Sequence, residues 1–246
     1  ITLFYTVGLL SNFTSAWIAQ ATVYFFFIFS AISGVYLLAK QLKLSNSVAT
    51  IGALFYLFNP YTMSQIIGRL ISSGVTVWAY LPWFIYLSIK IFEKISIKNV
   101  LSFALASIIF SNSYGYPSSV FLLWIPLIIY FLYSLTPRSN RFNSIKSIAV
   151  IATTWLITCS WLLLPYLKIG SSAFQNISGA KENLDSLLGV SQYFPVKTIL
   201  LLKQNYLFGS TMYNGFYSDP KIIALSYLVL TVVIIGVINK LFKRQA

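Results

Sequence analysis

Histidine is absent from the 246 residues, and there is a single cysteine, Cys159. Without histidine the chain lacks the usual general base and the commonest metal ligand, so histidine-based catalysis and ordinary zinc sites are excluded. One cysteine excludes an intrachain disulfide framework and any multi-cysteine metal site. Carboxylates are almost as scarce: Glu93, Glu182, Asp185 and Asp219 are the 4 acids of the chain. Charged residues make up 9%, against roughly 25% in an ordinary soluble domain. A water-facing surface cannot be built from so few charges.

The chain is instead 58% hydrophobic, with 20 Phe, 17 Tyr and 6 Trp. The apolar residues come in long runs, such as Trp17 to Ala39, which suits a bilayer better than a globular core. Many of the rings stand at the ends of these runs, where amphipathic aromatics favour the headgroup level. Ile1 opens the chain and no basic stretch precedes the first apolar run, so no signal peptide is expected. The chain is expected to start inside a longer protein.

Seven spans are predicted, at 17–39, 47–59, 74–92, 99–112, 118–135, 147–165 and 221–239. The expected fold is all-α, a polytopic transmembrane bundle. It divides into helices with short loops over 1–166, an outer segment with a surface helix over 167–220, and a last span with a basic tail over 221–246. A full crossing takes about 20 residues, and 47–59 and 99–112 fall short of that.

The net charge of +13 invites a nucleic-acid reading in a soluble protein. Here its placement points to the membrane, and no nucleic-acid partner is expected. Lys40 and Lys43 follow the first span, and Lys90, Lys94 and Lys98 flank the turn after the third. Arg138, Arg141 and Lys146 follow the fifth, and Lys240, Lys243 and Arg244 the last. These are eleven of the 17 basic residues, all on one side, whereas the opposite short loops hold only Arg69 and the other five, Lys168, Lys181, Lys197, Lys203 and Lys221, belong to the long segment before the last span. Lys and Arg favour cytoplasmic loops, so the N-terminus is expected outside, the C-terminus inside, and the protein integral and multi-pass in the cell membrane. The sequons at Asn12 and Asn176 both fall outside. They are glycosylation candidates or plain polar loop residues.

The outer ends share a design. The second span ends Asn59-Pro60-Tyr61, the fourth Asn112-Ser-Tyr114-Gly-Tyr116-Pro117, and the sixth Pro165-Tyr166. Proline cannot continue the hydrogen-bond ladder, so each helix is expected to break or turn there. Pro82 and Pro126 sit mid-span, each followed four residues later by a tyrosine, so 47–92 and 99–135 read as a degenerate two-span repeat or as ordinary membrane prolines. The short spans, each followed by polar residues, predict an outward-opening cavity.

Asn59 is placed to cap a helix starting at Pro60. A helix over 60–71 puts Thr62, Gln65, Arg69 and Ser72 on one face. Arg69, with Asn59, Tyr61 and Gln65, is the candidate substrate contact, because a guanidinium holds phosphate bidentately. The alternative is an interfacial helix whose arginine meets lipid headgroups. In the outer segment Glu182 and Asp185 are three apart, and Tyr193, Phe194, Tyr206 and Tyr213 are suited either to sugar stacking or to the headgroup belt.

The runs Val35-Tyr-Leu-Leu-Ala-Lys40, Gly52-Ala-Leu-Phe-Tyr-Leu-Phe-Asn-Pro-Tyr61 and Leu81-Pro-Trp-Phe-Ile-Tyr86 resemble the middle of polytopic glycosyltransferases of the GT-C superfamily. The likeness is to bacterial and archaeal members related to arabinofuranosyltransferases, and Ser186-Leu-Leu-Gly-Val-Ser-Gln-Tyr-Phe194 resembles an outer-loop segment of the same group. The resemblance implies transfer of a sugar from a polyprenyl-phosphate carrier at the outer membrane face. It also implies a catalytic acid in a first outer loop and a divalent metal there. Residues 1–15 contain no acid, so that residue has no counterpart here; Glu182 and Asp185 are the substitutes on offer, and no metal ligand can be placed. The other readings are a non-catalytic membrane scaffold and a transporter or flippase. The latter is disfavoured because the spans carry no ionisable pair of the kind coupled carriers use.

Overall fold

The computed structural model describes residues 2–59, 62, 73–114, 117–136 and 141–173, together with Lys221, Ala224, Leu228 and Thr231. Among the described residues all regular structure is helical. Seven α-helices occur: α1 (Thr2–Ser11), α2 (Ala16–Gln41), α3 (Asn46–Phe58), α4 (Ser73–Glu93), α5 (Ile97–Ile109), α6 (Pro117–Ser134) and α7 (Arg141–Ala173). A 3₁₀ turn, Ser111–Tyr114, joins α5 to the segment before α6.

The helix ends follow local chemistry. Ser15 is extended and its Oγ accepts the Ile18 N–H at 3.4 Å, capping α2. Ser96 does the same for α5, accepting from Asn99 N at 3.3 Å. The Asn99 side chain then donates to the Lys94 carbonyl, just past α4, and to that of Lys90, which also accepts the Lys94 N–H. After α2, Lys43 N bonds Lys40 O and Leu44 N bonds Ala39 O, a Schellman closure with Lys43 at φ 61°.

Three helices, Ala16–Gln41, Gly74–Glu93 and Arg141–Trp161, are long and apolar enough to cross a bilayer. α3 and α5 have 13 residues each, about 20 Å of rise, and are the short elements expected. α1 was not expected: an isolated apolar run of this length is too short to read as a span. The expected break at Pro165-Tyr166 is also not seen, since α7 continues to Ala173. A proline deletes one ladder bond and kinks a helix, but the turns on either side can carry the helix through. Pro82 is accommodated inside α4 in this way, with outside help. Its missing N–H frees the Trp78 carbonyl, and the Tyr56 hydroxyl of α3 donates to that oxygen at 2.8 Å.

The chain divides into two compact units, Ile1–Phe58 with Gln65–Gly170, and Asn59–Ser64 with Ser171–Ala246. In the first unit α4 is the axis: 67% of its apolar window is buried, against 33% for α2 and for α7. The helices alternate in direction around it. α2 lies parallel to α4, with Trp83 Nε1 donating to Ser30 O and Gln41 Nε2 to Glu93 Oε2. A Cβ on Gly34 would come within 2.8 Å of Trp83 Cδ1, so only glycine allows this approach. α5 is antiparallel, pairing Asn99 with Lys90 and Ser107 with Tyr80. α6 is parallel, with Phe84 against Trp124 and Phe92 against Tyr130. α7 starts beside the end of α4, where Ser147 Oγ donates to Ile91 O.

The core is mainly apolar, but unlike that of a water-soluble bundle the exterior is apolar too. Phe121 is 67% exposed and Ile129 63%, while Ser88, Ser107 and Thr76 are fully buried. Polar groups inside and large apolar groups outside fit a lipid surround. In the second unit the described residues are Asn59, Thr62, the end of α7, and Lys221, Ala224, Leu228 and Thr231. The last four are helical and exposed, at the spacing of one helix face.

Candidate functional site

The alternating directions sort the first unit chemically. Lys40, Lys90, Lys94, Lys98, Arg141 and Lys146 stand where α2, α4 and α6 end and α5 and α7 begin. At that end Glu93, the one acid among the described residues, accepts from Gln41 at 2.6 Å. The opposite half, toward which α7 runs, holds none of these six, although Lys168 stands near the far end of that helix. Its interior collects hydroxyls and aromatic rings instead.

That interior is built from five elements. α4 supplies Thr76, Trp78, Tyr80 and Phe84, one or two turns apart on its buried faces. α5 supplies Ser107, whose Oγ is 2.7 Å from the Tyr80 hydroxyl. The 3₁₀ turn folds polar residues inward: Ser111, Ser113 and Tyr114 are buried, and Asn112 Nδ2 donates to Thr76 Oγ1 at 3.3 Å. α6 and α7 close the site with Trp124 and Trp155.

Five rings form a closed circuit. Tyr80 meets Tyr114 edge-on (6.0 Å, 83°), Tyr114 meets Trp155 (5.4 Å, 89°) and Trp155 meets Trp124 (5.4 Å, 83°). Trp124 meets Phe84 (5.8 Å, 64°), and Phe84 returns to Tyr80 (5.6 Å, 70°). Edge-to-face pairs are favoured by the ring quadrupole and add about 0.5–1.5 kcal/mol each beyond burial. The Cys159 thiol lies beside Tyr114, next to Thr158.

Several polar atoms here have no hydrogen-bond partner among the described residues: Trp78 Nε1, Ser113 Oγ, Tyr114 Oη, Trp124 Nε1 and Trp155 Nε1. Each such buried group costs on the order of 1–3 kcal/mol, so their concentration in one half of one bundle is unusual. The set is rich in donors and holds no carboxylate or imidazole. No group of three or more His, Cys, Asp or Glu that could hold a metal exists among the described residues.

Of the residues singled out from sequence, Asn59 is buried and caps as expected. Its Oδ1 accepts the Thr62 N–H at 2.9 Å and its Nδ2 donates to Thr62 Oγ1 at 2.9 Å. Asn12 is exposed in the turn between α1 and α2. Tyr61, Gln65, Arg69, Asn176, Glu182 and Asp185 lie outside the described residues, as do most of the expected 60–71 helix and the outer segment from 174 to 220 with its expected surface helix. The aromatic circuit was missed from sequence. Tyr80-Phe84 and Trp155-Cys159 have the four-residue spacing of one helix face, but rings are too common in this chain for that spacing to stand out. No protein-family model, curated protein or solved structure matches the chain.

Proposed function

We propose that this chain is a multi-pass part of a membrane glycosyltransferase of the GT-C type. Its N-terminus lies outside and its C-terminus inside, and it serves transfer of a sugar from a polyprenyl-phosphate donor at the outer face. The supporting observation is the two-ended character of the first unit. In the first unit most of the described cations gather at one end, Lys168 near the far end of α7 excepted, and the distribution rule for Lys and Arg assigns the cation-rich end to the cytoplasm. The donor-rich aromatic interior, with its unpaired indole and hydroxyl groups, lies in the other half. Groups of this kind suit sugar hydroxyls and phosphate oxygens.

In this reading the bundle binds and orients the donor. Arg69 neutralises its phosphate, while Asn59 positions the start of the segment that carries Arg69. The carboxylate that activates the acceptor comes from elsewhere in the parent protein or from Glu182 or Asp185. The test is to express the parent protein in membranes and assay transfer from polyprenyl-phosphate sugars. Arg69→Ala is expected to lower transfer at least tenfold, the scale of losing one charge-assisted phosphate contact (about 1.5–3 kcal/mol). Full activity in that variant removes Arg69 from the site, and no transfer from any such donor sinks the reading.

A further inference from the structure

Between α2, α4 and α5 the first unit carries a groove of about 590 Å³. Its walls are Phe26, Phe29 and Leu37 from α2, Trp83 and Leu87 from α4, and Leu105 from α5. The small residues Ser33, Ser102 and Ala106 leave the space open. Polar atoms along it are spent internally. Trp83 Nε1 donates to Ser30 O at 2.8 Å and Ser33 Oγ to Phe29 O at 2.8 Å, while Asn99 Nδ2 serves the Lys90 and Lys94 carbonyls. The charged groups lining the groove are Lys90 and Lys98, both at one end. Lys90 Nζ stands 5.0 Å from the Tyr86 ring centroid, held toward the mouth. The nearby acid, Glu93, is already engaged by Gln41.

The dimensions identify the occupant. Along α5 the lining runs from Lys98 to Ile109, which at 1.5 Å per residue is about 17 Å. That is roughly half of a ~30 Å hydrocarbon core, the depth of one leaflet. The groove is thus apolar for one leaflet's depth and cationic where that leaflet's headgroups lie. We propose that it is a binding site for an anionic phospholipid, with one acyl chain in the groove and the phosphate at Lys90 and Lys98. Basic pockets between membrane helices recognise such headgroups. A chain much longer than a leaflet does not fit, which separates this site from one for a polyprenyl carrier. The site rests on the bundle lying in a bilayer and is independent of glycosyl transfer.

The test uses the whole chain, purified and delipidated in a neutral detergent. Thermal unfolding is followed as phosphatidylglycerol, phosphatidylcholine, a polyprenyl phosphate or inorganic phosphate is titrated in. Phosphatidylglycerol is expected to raise the midpoint saturably, with phosphatidylcholine and inorganic phosphate doing so at least tenfold less effectively. K90Q/K98Q is expected to weaken the phosphatidylglycerol response about tenfold, whereas K40Q/K43Q, at the same end but off the groove, leaves it unchanged. Native mass spectrometry of the same variants reads bound lipid directly, so a variant of altered basal stability remains informative. Equal responses to the two phospholipids, equal losses in the two double variants, or preferential binding of the polyprenyl phosphate would each overturn the proposal.

Discussion

Tyr80 and Tyr114 meet edge-on in the same buried circuit, yet their hydroxyls are in opposite situations. The Tyr80 hydroxyl shares a 2.7 Å hydrogen bond with Ser107, whereas that of Tyr114 lies beside Tyr80, Ser107 and the Cys159 thiol without a well-formed bond to any of them. Removing a buried hydrogen bond costs about 1 kcal/mol, whereas removing an unpaired polar atom recovers its desolvation cost. Tyr80→Phe is therefore expected to lower the unfolding midpoint in detergent, and Tyr114→Phe to hold or raise it. Neither role was legible in the sequence, because a hydroxyl's partner is set by contacts between α4, α5 and the 3₁₀ turn. The capping role of Asn59 was legible, because it depends on residues one to three positions away.

At the scale of the element, α2 closes with Lys43 in the left-handed region, at φ 61°. That conformation costs a non-glycine residue about 1 kcal/mol, while glycine's greater freedom in the unfolded chain offsets part of the gain. Lys43→Gly is expected to stabilise by a few tenths to about 1 kcal/mol, read as a raised unfolding midpoint. Tyr56→Phe is expected to act in the other direction. It would leave the Trp78 carbonyl, freed by Pro82, without its donor, at about 1–3 kcal/mol. The expected spans 17–39, 47–59, 74–92, 99–112 and 118–135 correspond to α2 through α6 within a few residues. Their boundaries lie in capping serines, prolines and breaks in apolar runs, all local signals. α1 and the passage of α7 beyond Pro165 escaped the same reading. The first is too short to look like a span, and the second depends on the helical turns flanking the proline.

For the molecule as a whole, the apolar exterior was implied by composition, since a chain with 9% charge has little else to place outside. The grouping of Lys40, Lys90, Lys94, Lys98, Arg141 and Lys146 at one end was implied by their alternation along the chain, and the parallel and antiparallel contacts around α4 bring them together there, while Lys168 stands near the far end of α7. What composition could not indicate is how polar the interior is, because serines and tyrosines scattered through apolar runs converge only when the helices pack. The proposed orientation has a direct test. Cys159 is buried, so the native thiol is expected to stay silent toward an impermeant maleimide in intact cells. Asn12→Cys is expected to label from outside, and Thr136→Cys, in the connection between α6 and α7, only after permeabilisation. The reverse pattern would invert the topology.

The hydrogen bond from Tyr56 to the Trp78 carbonyl also bears on how the protein is made. α3 is synthesised before α4, so the donor already exists when the proline-opened helix is made. α4 therefore need not fold into an apolar surround with a bare carbonyl. It can enter as half of a hairpin whose other half stacks on Trp78 at 5.4 Å. The tolerance of Pro82 in the central helix is in this sense a matter of timing: the helix that repairs the break comes first in the order of translation.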